Sequence, residues 1–383
     1  MKAATGGARK QIMVVVGEAS GDVLGAELVK ALLGRNPNLK LFGVAGEQME
    51  RLEFEPLFSV SRLTGMGLVE LAGNAGNIWR AFRLLKRALR ERKPDLVVLI
   101  DFPEFNLRLA RSAKRLGIPV LYYVSPQVWA WRRGRVRQIA QCVDQLAVIF
   151  PFEGPFYQSF GIKAVFVGHP LIDIVKAEAD RETALARLGL DPSEPTIALL
   201  PGSRRKELAY HLPRLLRAAE ILSRQRRLQF VCVKAATVER AELERLLDGS
   251  GVNVPIAEES RYDIMNAADV VWAASGTATL ESALLLKPMV VVYRLAWLSY
   301  WLACLLVRVE HIAMVNIIAG EKVVPELIQS DFQPETVVRE TRVLLDEQPV
   351  RQRMIAKLAE VKEKLGAGGA AARVAELAAS MIA

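Results

Sequence analysis

The 383-residue chain has only three cysteines, Cys142, Cys232 and Cys304, far apart and with no C-x-x-C pair among them. That excludes a disulfide framework and a cysteine zinc site, and their apolar neighbours point to buried, reduced thiols. Long apolar runs are lacking too. The oiliest stretch, LAWLSYWLACLLV at 295–307, is 13 residues long, whereas a helix needs about 20 to cross a bilayer. The N-terminal run IMVVV stops at Gly17 and Glu18, too short for a signal peptide. Together these absences point to the cytoplasm. There is no low-complexity linker and no clear internal repeat. Two nucleotide fingerprints are missing as well: no G-x-G-x-x-G follows the first strand, and no G-K-[ST] closes a Walker loop.

What is present is an ordinary globular balance, 51% hydrophobic and 24% charged, with a net charge of +9. The charge is uneven. Between Arg80 and Arg137 there are 15 Lys/Arg against four acids, Glu91, Asp95, Asp101 and Glu104. This excess is larger than that of the whole chain. Such a segment suits an anionic partner, whether nucleic acid, anionic lipid or a phosphorylated substrate, or it forms solvated helix faces.

Short β-rich runs alternate with amphipathic helical patterns. Strands are expected at 11–16, 39–44, 95–100, 118–124, 144–149 and 163–167, with helices near 21–34, 77–92, 105–116, 129–141 and 153–160. After VGHPLIDIV the rhythm restarts, with strands at 196–200, 228–234, 269–273 and 289–293. Apolar strands separated by helices mean parallel sheets covered on both faces. The chain therefore reads as two successive α/β domains, the boundary near 168–178, ending in an Ala-rich helix suited to close packing. In such sheets ligands bind at the carboxyl ends of the strands.

The first strand runs into GEASGD. Glu18, Ser20 and Asp22 repel phosphate but suit sugar hydroxyls, unless Ser20 or Asp22 simply caps the helix. The next turn, in DLVVLIDFPEFN, puts Asp101 directly after a buried strand, placed as a general base or as a helix cap. In YYVSPQVWAWRRGRVRQ, Ser125, Pro126 and Gln127 precede Trp129, Trp131 and four arginines. Aromatics beside Arg can stack on bases, but packing followed by a basic helix face is the better reading. In the second half, Gly202, Ser203 and Arg204 form a phosphate-compatible turn after TIALLP. Ser275, Gly276 and Thr277 offer another at a helix N-terminus, with Glu281 one turn further on, placed for a ribose diol. A nucleotide half and a hydroxyl-binding half suggest glycosyl transfer.

With these residues in view, the sequence resembles the lipid-A-disaccharide synthase family over nearly its full length. The stretches that carry the likeness are GEASGD, GMGLVE, IDFPEFN, YVSPQVWAWR, FPFE, VGHPL, LPGSR..E, ASGTATLE and VNIIAG....PELIQ. The resemblance implies an α/β chain of the GT-B class: two Rossmann-like domains facing across a cleft, with C-terminal helices packing back on the first. The expected domains are 1–172 for the acceptor and lipid, 173–345 for the UDP-sugar, and helices over 346–383. It also implies inverting transfer of 2,3-diacylglucosamine from UDP to 2,3-diacylglucosamine 1-phosphate, giving a β(1→6) disaccharide and UDP. Peripheral contact with the anionic surface of the inner membrane, on its cytoplasmic face, follows. No metal and no cofactor are implied, consistent with the lack of a D-x-D.

The roles then expected are Asp101 as base and Arg204 on the leaving diphosphate. Gly202, Ser203, Ser275, Gly276, Thr277, Glu281 and Asn316 hold the nucleotide sugar. Glu18, Ser20, Gly21, Asp22, Met66 and Gln127 line the acceptor side, with Gly67 beside Met66. One departure is Val315, where the family usually has Pro before this Asn. Membrane contact is expected in GMGLVELAGNAGNIWRAFRLLKRALRERK, through Leu68, Val69 and Leu71 in a loop-like context, then Trp79 and Phe82 beside a basic helix face. The same apolar residues could instead be core. A homodimer is possible, and no nucleic acid partner is expected. The alternatives are a UDP-sugar epimerase of the same fold and a non-enzymatic basic membrane- or nucleic-acid-binding protein.

Overall fold

The computed structural model describes residues 9–63, 68–130, 134–296 and 310–383, with only the backbone of 68–75. The chain divides into two compact units, Met1–Pro170 with Gly366–Ala383, and Leu171–Leu365. The first holds a seven-stranded sheet of β1 (Gln11–Val15), β2 (Lys40–Ala45), β3 (Glu55–Ser59), β4 (Leu96–Ile100), β5 (Val120–Tyr123), β6 (Gln145–Val148) and β7 (Ala164–Phe166). Its order is β3-β2-β1-β4-β5-β6-β7, parallel throughout. The second holds β8 (Thr196–Leu200), β9 (Gln229–Val233), β10 (Ile256–Ala257), β11 (Val270–Ala274), β12 (Met289–Tyr293) and β13 (Glu326–Ile328). Its order is β10-β9-β8-β11-β12-β13, again parallel.

The central strands are apolar along their whole length because helices cover both faces. Every residue of β4, β5, β8 and β11 is buried. In each unit the strand order reverses once, between β1 and β4 and between β8 and β11. The helices that follow two neighbouring strands there leave on opposite faces, which opens a crevice at the strand carboxyl ends.

Three strands escape the sequence pattern: β3, β10 and β13. All are at sheet edges, and β3 contains Pro56. An edge strand needs neither a continuous apolar run nor every N–H, so its signal is weak. The basic helix differs as well. It spans Leu68–Arg92, so Leu68, Val69 and Leu71 are helical rather than loop-like. Gly73 and Gly76 lower helix propensity there by about 1 kcal/mol each, and the strongly helical turns that follow carry the helix through them. The C-terminal segment also divides differently from a single 346–383 block. Helix Gln348–Lys364 belongs to the second unit, and only Ala370–Ile382 returns to the first. There Ala370, Ala375 and Ala378 are buried, and the helix packs on α1 (Ala19–Arg35).

Asp22 ties α1 to the loop after β2. Its buried carboxylate accepts the backbone N–H groups of Gly46 (2.8 Å), Gln48 (2.8 Å) and Met49 (3.2 Å). It caps the short helix Glu47–Glu50, not its own helix. Asp22→Ala leaves these donors unpaired, a cost of about 1–3 kcal/mol. A lower thermal unfolding midpoint is the expected result; an unchanged midpoint would show that this cap is dispensable.

Candidate active site

β4 delivers Asp101 into a sharp corner. Asp101 and Phe102 both have left-handed backbones, φ +48° and +50°, and Pro103 then opens helix Pro103–Lys114. Left-handed non-glycine residues cost about 1–3 kcal/mol each and persist where the surroundings hold them. Across the strand-order reversal, Val16 and Gly17 follow β1. A Cβ on Gly17 would fall 2.1 Å from Cγ of Phe102, so only glycine lets that ring close over the turn. Glu18 comes next, and its charge reaches Asp101. Burial first, and Glu18 second, push the Asp101 carboxyl above its usual range, opposed by a hydrogen bond from the Phe102 amide. A half-buried carboxylate with a raised pKa is suited to general-base work.

The other first-unit candidates separate. Glu18, Ser20 and Gln127 are exposed, whereas Gly21 and Asp22 are buried on the inner face of α1. Asp22 is committed to the backbone, so its expected place on the acceptor side is corrected to a structural one. Met66 and Gly67 lie outside the described residues. β5 also ends in strain, with Val124 at φ +61°, a genuine outlier for a β-branched residue. The loop beyond is gathered by a buried acid with no role assigned from sequence. Glu153 Oε1 accepts Ser125 Oγ (2.8 Å) and Trp129 Nε1 (3.1 Å), and Oε2 accepts the amides of Ile149 (3.2 Å) and Phe150 (3.1 Å). Burial pushes Glu153 up to about 7 against these bonds. Trp129 packs edge-on to Phe152 at 4.8 Å and is buried, so it is core and not a stacking platform. Trp131, Arg132 and Arg133 lie outside the described residues.

In the second unit, the turn after β8 has Gly202 at φ +128°, where a Cβ would meet the Glu207 side chain at 2.7 Å. Glu207 accepts the Ser203 amide at 3.0 Å and stands 3.7 Å from the Arg204 guanidinium. A carboxylate therefore already occupies the N-terminus expected for phosphate. Arg204 itself is 80% exposed. His211, fully buried, pins this turn to the end of β12. Its Nε2 accepts the Arg294 amide (2.9 Å), which leaves the proton on Nδ1 to donate to Pro201 O (2.8 Å). Across the reversal, Gly276 (φ +148°) and Thr277 are exposed at the start of helix Thr277–Leu284, which no side chain caps. A Cβ on Gly276 would meet nothing within 4 Å. Ser275 Oγ donates to Ile312 O at 3.2 Å.

Glu281 is buried, and its carboxylate accepts Arg261 (2.5 Å) and Tyr262 (3.3 Å). Burial still pushes its pKa up. A ribose would share this acid with Arg261. Asn316 is corrected. It is fully buried; its amide donates to Val324 O (3.0 Å) and Glu326 Oε1 (2.8 Å), and its oxygen accepts Val323 (2.8 Å) and Val324 (2.9 Å) amides. All its hydrogen-bonding capacity is spent inside, leaving none for a nucleotide. Of the residues missed from sequence, Glu207 and Glu153 stood in quoted motifs, LPGSR..E and FPFE. His211 carried no pattern.

On the basic helix, Trp79 is 58% exposed with the Arg83 guanidinium 4.3 Å over its ring. Phe82 turns inward, 5.7 Å from Phe105. The ring is half-buried, with the Lys86 ammonium 5.7 Å from its centroid. Among the described residues, no helix is long and apolar enough to cross a membrane.

The whole chain matches solved structures of low identity. A UDP-GlcNAc 2-epimerase from Neisseria meningitidis, bound to UDP-GlcNAc, gives TM-score 0.67 at 14% identity, covering 97% of this chain and 100% of that one. A glycosyltransferase from Rickettsia africae gives 0.62 at 11%, covering 98% and 99%. These likenesses establish the GT-B fold class, two parallel Rossmann-like sheets, without choosing between the two chemistries. Sequence makes the choice. The family described as lipid-A-disaccharide synthetase matches residues 12–380. The lipid-A-disaccharide synthase of Nitrosococcus oceani is 47% identical over 97% of this chain and 96% of its own, and that of Geobacter metallireducens 45% over 97% of both. The chain belongs to this family of glycosyltransferases.

Because Glu18 raises the Asp101 pKa, Glu18→Gln should lower it. A base works when ionised, so the acid limb of the pH–rate profile should move to lower pH. A limb that stays in place would mean that Asp101 does not feel Glu18 or does not set the limb.

Proposed function

We propose that this chain transfers 2,3-diacylglucosamine from UDP to 2,3-diacylglucosamine 1-phosphate, giving the β(1→6) disaccharide 1-phosphate and UDP. Family membership supports the reaction, and the strained Asp101 corner at the strand-order reversal is the observation that carries the mechanism. Asp101 takes the proton of the acceptor 6-hydroxyl. The oxygen forms a bond to the anomeric carbon as the bond to the UDP oxygen breaks, and inversion follows from attack opposite the leaving group. The leaving diphosphate takes the electron pair. Arg204, exposed and held only 3.7 Å from Glu207, exchanges that carboxylate for the diphosphate. Gly202, Ser203, Ser275, Gly276 and Thr277 supply backbone and hydroxyl donors, and Glu281 shares the ribose with Arg261. On the acceptor side stand Glu18, Ser20 and Gln127, all exposed. The epimerase reading has only fold likeness behind it.

The acyl chains of such substrates sit in a bilayer, and we assign the basic helix to its surface. Exposed Trp79, Arg80, Arg83, Leu84, Arg87 and Arg90 share its outer face, the mix of apolar and cationic side chains that an anionic interface attracts. On this reading the protein works peripherally, at the cytoplasmic face of the inner membrane, drawn there by this face of the helix.

Asp101→Asn is expected to lower turnover ~10²–10⁴-fold while UDP affinity, read by calorimetry, stays near wild type. Arg204→Ala should instead weaken UDP by about one to two decades, from a charge-assisted bond worth about 1.5–3 kcal/mol. Conversion of a UDP-sugar to its epimer without a lipid acceptor and without net UDP release would return the epimerase reading. For the membrane, changing Leu68, Val69 and Leu71 together to Ser should release the protein from anionic vesicles with an unchanged melting temperature. A collapsed melt with unchanged sedimentation would make that segment core.

A further inference from the structure

We propose that Tyr122 and Asn106 are positioning residues for Asp101, clamping its peptide group so that its carboxylate keeps its working geometry. This rests on Asp101 being the base. β5 runs beside β4 with Tyr122 opposite Leu99 and Tyr123 opposite Ile100. From that register the Tyr122 hydroxyl donates to the Asp101 carbonyl at 2.6 Å. From the other side, one turn into helix Pro103–Lys114, the Asn106 amide donates to the same carbonyl at 2.7 Å and to Ile100 O at 3.2 Å. The Asp101 N–H donates to Tyr123 O at 3.0 Å. Donor and acceptor of one residue are thus both fixed, and the carbonyl is held twice.

Two observations set this apart from ordinary turn support. Both side chains are fully buried, and Asn106 Oδ1 has no hydrogen-bond partner among the described residues. The amide cannot be reversed to relieve that atom, because reversal would set its oxygen against the carbonyl oxygens of Ile100 and Asp101. A buried acceptor is therefore sacrificed to hold a backbone conformation, φ +48° at Asp101 and +50° at Phe102, that is itself unfavourable. Costs of this kind collect where geometry serves function. Burial also pushes the Tyr122 phenol well above its usual range, so it remains a donor at every working pH.

Tyr122→Phe keeps the packed ring and deletes only the donor. Asn106→Leu is near-isosteric and removes the donor and the orphan acceptor together. Each is expected to lower kcat ~10- to 100-fold, the scale of a small misplacement of a reacting group, with KM for both substrates within about twofold and a lower melting temperature from the buried carbonyls that lose a donor. The decisive reading is a double-mutant cycle. In an Asp101→Asn background the same substitutions should change the residual rate by less than about twofold, because the group they position is already gone. Equal losses in both backgrounds, or full kcat in the variants, would overturn the clamp while leaving Asp101 as base. Should Tyr122→Phe fail to fold, Asn106→Leu gives the same reading. Full activity in Asp101→Asn alone would overturn the base assignment and the clamp with it.

Discussion

Helices cover both faces of each sheet, and that single constraint shapes everything else in the molecule. Strands buried on both sides present no polar group to solvent along their length, so groups that can meet a ligand are confined to their ends. β4, β5, β8 and β11 have no exposed position. At the carboxyl ends beside the two strand-order reversals the chain places Gly17, Glu18 and Asp101 in one unit, and Gly202 to Arg204 with Ser275 to Thr277 in the other. The two units solve the same topological problem with opposite electrostatics, acids in the first and backbone donors with an arginine in the second.

Those ends are strained, and the strain is held by buried polar groups. Asp101, Phe102 and Val124 are left-handed without being glycine. Tyr122, Asn106 and Glu153 bind the corner and its neighbouring loop from inside the fold. His211 does the same in the second unit by joining the Pro201 turn to Arg294. Asn106 Oδ1 apart, each group has its partners close and fixed, which is what allows a polar side chain to be buried at all. Several polar residues of the motifs, Asp22, Asn106 and Glu153 among them, are thus spent on holding the chain.

Glu207 gives the second unit a further property. Its carboxylate sits on the Ser203 amide, where an anion would otherwise bind. The turn is thereby held in shape by a carboxylate of the chain itself. At Gly276, among the described residues, no side chain caps the helix start.

The sequence alone was enough for the α/β rhythm, because buried parallel strands leave continuous apolar runs such as LVVLI and TIALL. It was enough, too, for the turns that follow them and for the family. The edge strands β3, β10 and β13 left no such run, so pairing alone defines them. Local pattern also could not tell an exposed polar residue from a buried one. Asp22, Asn316 and Glu18 look alike in a motif, yet two of them spend their hydrogen bonds on backbone brought from elsewhere in the chain, 24 residues away for Gly46. Only the tertiary structure decides which polar groups are left over, because burial and partnership depend on what the fold brings alongside, and sequence spacing does not record that.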